Sequence, residues 1–142
     1  MTRNQPQTFR SRFAAAALLA GVLLGVGGCG GVFWRPDLGG AMQLSSQSNR
    51  VVVAAYWATL NPDCRRMESE VFSDKEVQLT LRSTIPVRVD ALLNPGFGKR
   101  YGVTRVPAFV VFGPDGRILR RAEGFMDEGR FRGFVEAAKL SL

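Results

Sequence analysis

The sequence predicts an α/β protein, with a central mixed sheet of about four strands flanked by helices. Three observations carry that expectation. Apolar, β-branched runs at 51–56, 86–89 and 108–112 have the length and composition of buried strands. Helix-start signals stand between them, at Asn61-Pro62-Asp63, Ser73-Asp74 and Asn94-Pro95. The chain closes on an amphipathic stretch in which Phe131, Phe134, Val135 and Ala138 fall at i, i+3, i+4 and i+7. Helices alternating with strands give a sheet covered by helices.

In chain order, residues 1–28 read as a signal segment. Arg3, Arg10 and Arg12 precede an apolar run at 13–26, which is short for a membrane span and fits an export signal. It ends Val26-Gly27-Gly28-Cys29, which resembles a bacterial lipobox. That resemblance implies cleavage before Cys29, a lipid on its sulfur, and a membrane-anchored lipoprotein of the cell envelope. Residues 29–36 are then a tether, and 37–142 the folded domain. Val32-Phe33-Trp34 suits either the membrane interface or the domain surface.

Asp37 is the candidate cap of a first helix through Leu44, weakened by Gly39-Gly40. Residues 45–49 read as a polar loop. After the strand at 51–56, Asn61 caps a helix. Pro62 takes the first helical position, where no N–H is needed, and Asp63 suits the positive end of the dipole. Cys64 is therefore the third helical residue. Ser73 and Glu76 have capping-box spacing, with Phe72 and Val77 as a hydrophobic staple, for a helix to about Arg82. The strand at 86–89 ends at Asp90. Asn94-Pro95 opens a short helix that stops near Gly102. The strand at 108–112 meets Gly113-Pro114-Asp115-Gly116, a turn, and 117–123 returns as its partner. Arg117, Arg120 and Arg121 suit an edge strand. The last helix starts at Asp127.

Composition excludes several chemistries. The chain has 142 residues, two cysteines and no histidine. Without histidine there is no Ser-His or Cys-His nucleophile, and the usual zinc sites are lacking. No metal or other cofactor is expected. If Cys29 carries lipid, Cys64 is the one remaining thiol and no intramolecular disulfide can form. The formal charge is +7. Removing Arg3, Arg10 and Arg12 from the 19 basic residues leaves 16 against 12 acidic ones, about +4. These charges are spread out, as on a solvated face. No nucleic-acid partner is expected, and anionic headgroups could attract them.

The stretch Asn61-Pro62-Asp63-Cys64 resembles the active-site turn of the thioredoxin family. The likeness is nearest to the thioredoxin-like domains of bacterial cell-envelope disulfide reductases. Residues 64–74 have the spacing those domains show after the motif. Arg105-Val106-Pro107 resembles their cis-proline loop, and Gly124-Phe125-Met126-Asp127 their last strand-to-helix junction. The likeness spans roughly 37–140. The family pattern is Cys-x-x-Cys, and here Asn61 stands where the attacking cysteine would be. The family's buried carboxylate matches Ala55, and its aromatic residue before the first cysteine matches Leu60.

Dithiol exchange needs one sulfur to attack and another to resolve. The resemblance therefore implies a domain that has lost ordinary disulfide reduction and keeps the groove for an extended peptide or protein partner. Val106, Pro107 and Trp57 are its candidate binding residues. Asn61 also reads as a plain helix cap, Trp57 as core wall, and Cys64 as a small buried hydrophobe. Two other functions remain open: a monothiol oxidoreductase using Cys64, and a structural subunit of an envelope assembly.

Overall fold

The computed structural model describes residues 30–142. The signal segment and the lipidation reading at Cys29 lie outside them. Helix α1 (Leu38–Ser48) leads into strand β1 (Val52–Trp57). Helix α2 (Pro62–Arg66) runs into a π-helical turn (Met67–Val71) and then α3 (Lys75–Arg82). Strand β2 (Ile85–Asp90), helix α4 (Gly96–Tyr101), the hairpin β3 (Ala108–Phe112) and β4 (Ile118–Glu123), and helix α5 (Glu128–Lys139) complete the order.

The four strands form one mixed sheet in the order β2-β1-β3-β4. β1 pairs parallel with β2 and antiparallel with β3. All six β1 residues are buried, as expected of a central strand covered on both faces. Val53, Ala55, Trp57, Phe109 and Val111 face one core, closed by α2, the π turn, α3 and α5. Val52, Ala54, Tyr56, Val87 and Val110 face the other, closed by α1 and α4. Phe109 and Phe131 are wholly buried, and their rings meet edge-on at 5.1 Å.

Several element boundaries differ from the sequence expectation. α1 runs on to Ser48 because Ser46 and Ser48 hydroxyls donate back to the carbonyls of Gln43 and Leu44. It ends where Asn49 turns left-handed, at φ 53°. Asp37 caps it as expected, accepting the amides of Gly39 and Gly40. Ser73 is not the cap of α3. The π turn carries the chain one residue further, Ser73 Oγ donates to Ser69 O, and Asp74 accepts the Val77 amide at 2.9 Å. Asn94 does not cap α4 either, since its side-chain amide donates to Asp90 O. α4 stops at Gly102, whose φ of 70° is a left-handed conformation open to glycine.

β4 is the edge strand on the hairpin side, as its arginines suggest. A register shift at Val111/Phe112 explains its lack of clean alternation. On the other edge the segment before α1 joins the sheet. Arg35 forms a parallel bridge to Val87, donating to Pro86 O and accepting from the Arg88 amide, both at 2.9 Å. Trp34 beside it packs on the core, with its ring 5.0 Å from that of Phe72. No described helix is long and apolar enough to cross a membrane.

Candidate functional site

The parallel pairing of β1 and β2 brings their C-terminal ends together at one end of the sheet, its upper edge. β3 enters at that same edge, because Ala108 pairs with Tyr56. Three loops therefore converge there: residues 58–61 after β1, 91–95 after β2, and 103–107 before β3.

Asn61 makes the first of these loops into a helix start. Its backbone is extended, and its Oδ1 accepts the amides of Asp63 at 2.9 Å and Cys64 at 3.1 Å. Pro62 follows at the first helical position, so the cap occurs as the sequence predicts. Asp63 is half-buried, and its carboxylate stands 3.9 Å from Arg66. Cys64 is wholly enclosed, at 0% exposure, within the cluster of Met67, Phe109 and Met126. Burial pushes its thiol pKa up. The Ala58 backbone hydrogen bond and the Arg88 charge pull it down by less, while Asp63 adds to the rise. The thiol thus stays protonated and out of reach of solvent.

The Val106–Pro107 peptide bond is cis. Pro107 is buried, and its carbonyl accepts the Gly124 amide at 2.7 Å. Val106 is half-buried and packs on the cluster that holds Cys64. Among the described residues neither its N–H nor its carbonyl has a backbone partner. Phe125, from the last junction, packs on the same cluster, with the Arg66 guanidinium 3.9 Å above its ring. Asn61, Cys64, Val106 and Pro107 thus belong to one edge of the sheet.

Trp57 does not belong to the groove. It is 5% exposed, tilted against Phe72 in the core at 5.8 Å and covered by Arg88. Its place at the end of a central strand, on the face closed by α2, the π turn, α3 and α5, buries the ring. The structure places Trp57 in the core wall.

Arg88 escapes the sequence reading. It pairs with Ala55 across the β1–β2 ladder, so its side chain lies on the Cys64 side of the sheet. The guanidinium sits between two indoles, 4.6 Å from Trp34 and 4.5 Å from Trp57, and its Nη2 meets Glu68 at 2.7 Å. Among the described residues, Arg88 Nε and Trp34 Nε1 are buried without a hydrogen-bond partner. An arginine at an inward position of a Val-Arg-Val strand was the available signal. Leu60, Leu92 and Leu93, at 85%, 86% and 81% exposure, were also missed. All three lie on the loops of the converging edge.

Residues 38–139 match the family model of the thioredoxin-like domain. The chain belongs to the thioredoxin-like family. A comparison with curated proteins finds no match. Among solved structures the domain resembles DsbH oxidoreductase, at 18% identity and TM-score 0.66, covering 78% of this chain and 87% of that one. It resembles a thioredoxin from Thermus thermophilus, at 22% identity and TM-score 0.66, over 80% and 89% of the two chains. The oxidised C-terminal domain of Neisseria meningitidis DsbD is similar at 21% identity and TM-score 0.62, over 73% and 97%. At these identities the structural likeness shows the fold. The chain thus has the thioredoxin-like fold, with Asn61 and Cys64 at the two ends of its first helical turn.

Proposed function

We propose that this is a membrane-anchored thioredoxin-like protein of the cell envelope whose active site is incomplete. It binds an extended peptide or a protein partner and does not catalyse dithiol exchange. One observation carries the reading: Asn61 Oδ1 takes the amides of Asp63 and Cys64 while Cys64 is fully enclosed. The helix N-terminus that would favour a thiolate at position 61 is occupied by a neutral cap that cannot attack a disulfide. The remaining sulfur is shielded and neutral.

The same edge supports binding. The unpaired Val106 backbone lies beside the cis-proline, where an extended segment could pair with it, and Leu60, Leu92 and Leu93 offer apolar contact. The anchor rests on the lipobox-like Val26-Gly27-Gly28-Cys29. Cys29→Ser should leave an unprocessed precursor, and normal maturation of that variant would defeat the anchor.

Two measurements test the binding reading. The protein should not speed the reduction of insulin by dithiothreitol. A photocrosslinking residue at position 93 should capture an envelope protein equally from wild type and Cys64→Ser, and lose it in Leu60→Asp. Insulin turnover, or capture that needs Cys64, would instead make the protein a monothiol oxidoreductase.

A further inference from the structure

The end of the sheet opposite Asn61 carries a second, differently built surface. A cavity of about 230 Å³ opens at the start of β2, between α1, α3 and residues 31–35. A neighbouring one of about 290 Å³ shares Gln78 and Arg82 with it and reaches Gly30, the first described residue. Their linings contain Arg35, Arg50, Lys75 and Arg82 and no carboxylate. Arg50 is engaged, donating to the carbonyls of Arg82, Ser83 and Thr84. Arg35, Lys75 and Arg82 are exposed and form no ion pair among the described residues. Asp74 and Glu76 flank Lys75 in sequence: Asp74 is turned to the Val77 amide as the cap of α3, and Glu76 is exposed. Two large apolar side chains stand among these cations: Phe33 at 79% exposure and Leu79 at 54%.

We infer that this face docks onto an anionic phospholipid bilayer. Exposed cations without carboxylate partners complement anionic headgroups, and each Lys or Arg near such a surface strengthens binding about five-fold. Phe33 and Leu79 supply the apolar residues that enter the interface. The occupant is fixed by chain geometry: residues 1–29 meet the domain at Gly30, in this same face. Whatever holds Cys29 at a membrane brings Lys75, Leu79 and Arg82 to it, and in this the inference rests on the anchored reading above. Docking also sets orientation. The cavities lie at the Ile85 end of β2 and Leu92-Leu93 beyond its Asp90 end, a strand length of about 20 Å away. The face at the bilayer thus turns the partner-binding edge outward.

The test uses the full chain, purified with its anchor and reconstituted in phosphatidylcholine vesicles with or without phosphatidylglycerol. An environment-sensitive fluorophore is attached at Leu79→Cys or, as control, at Leu93→Cys; labelled wild type reports background from Cys29 and Cys64. The label at 79 should shift to the blue only with phosphatidylglycerol, and lose the shift at high salt. The label at 93 should not move. Combined Arg35→Glu, Lys75→Glu and Arg82→Glu changes should abolish the shift while the protein still sediments with vesicles. Water-like emission at 79 in anionic vesicles, or an equal shift in neutral ones, would overturn the inference. So would a shift that appears only on adding envelope protein. Failure to sediment with neutral vesicles would count against the anchor, leaving the emission at 79 to judge the face.

Discussion

The guanidinium of Arg88 stands 4.5 Å over the ring of Trp57, on the face of the sheet that encloses Cys64. It is held from the other side by Trp34, 4.6 Å away, and at its tip by Glu68. One arginine thus joins the tether, the end of the central strand and the π turn behind the site. The opposite position on β1 is Ala55, so no carboxylate there competes for the charge.

Arg88→Ala should therefore loosen the tether before it loosens the domain. Two cation–π contacts, each about 0.5–2 kcal/mol, would be lost. The solvent-facing Glu68 pair adds little. A total loss of about 1–4 kcal/mol in urea unfolding is expected, with a red shift of Trp34 fluorescence. Arg88→Lys should not restore either, because an ammonium cannot stack between two rings as a planar guanidinium does. Unchanged fluorescence in Arg88→Ala would mean that Trp34 is held by Phe72 alone.

Much of the fold could be read from the sequence because its signals are local. The β-branched runs, the Asn61-Pro62 cap and the Gly113-Pro114-Asp115-Gly116 turn each act within a few residues. The misreadings come from structure that no single spacing marks. Ser73 looked like a cap, but the π turn at Met67–Val71 moved the helix start to Asp74. Arg88 draws its partners from Trp34 and Glu68, far off in sequence, so no spacing marks it. Phe134 has the helical spacing of Phe131 but lies at the rim of the interface, and is half-buried. The site turn was legible through its resemblance to a family; the exposed leucines beside it became visible only when the three loops were brought to one edge.

Cys64 should resist alkylation. In the native state iodoacetamide should leave it unmodified over hours at pH 8, and in urea it should react at once. Its raised pKa also has a sign in stability. The folded protein keeps the thiol proton to higher pH than the unfolded chain, whose thiol titrates near 8.5. The contribution is full below that pH and is lost as pH rises through the folded value. The stability difference between wild type and Cys64→Ala should therefore shrink from pH 7 to pH 10. A constant difference would mean that the thiol is not desolvated.

Phe131 should be the anchor of α5. Its ring is fully buried and meets Phe72 at 5.4 Å and Phe109 at 5.1 Å. Phe131→Ala should cost about 3–5 kcal/mol by chemical unfolding. Phe134→Ala, at a half-buried position, should cost about half as much. Equal losses would contradict the packing of this helix.

The most direct test of the proposed incomplete site is to supply the second sulfur of a thioredoxin-type motif. Asn61 Oδ1 already lies 3.1 Å from the Cys64 amide nitrogen, so a side chain at 61 projects over the start of the helix beside residue 64. Asn61→Cys should form a disulfide with Cys64 on mild oxidation, and weak insulin reductase activity should appear. Loss of the cap costs only about 1 kcal/mol, which the crosslink offsets. Residues 61 and 64 share one tryptic peptide, so mass spectrometry reads the result as the loss of two hydrogens from that peptide. If both cysteines stay reduced under oxidising conditions, Asn61 does not occupy the place of an attacking cysteine, and the reading of an incomplete thioredoxin-type site is wrong.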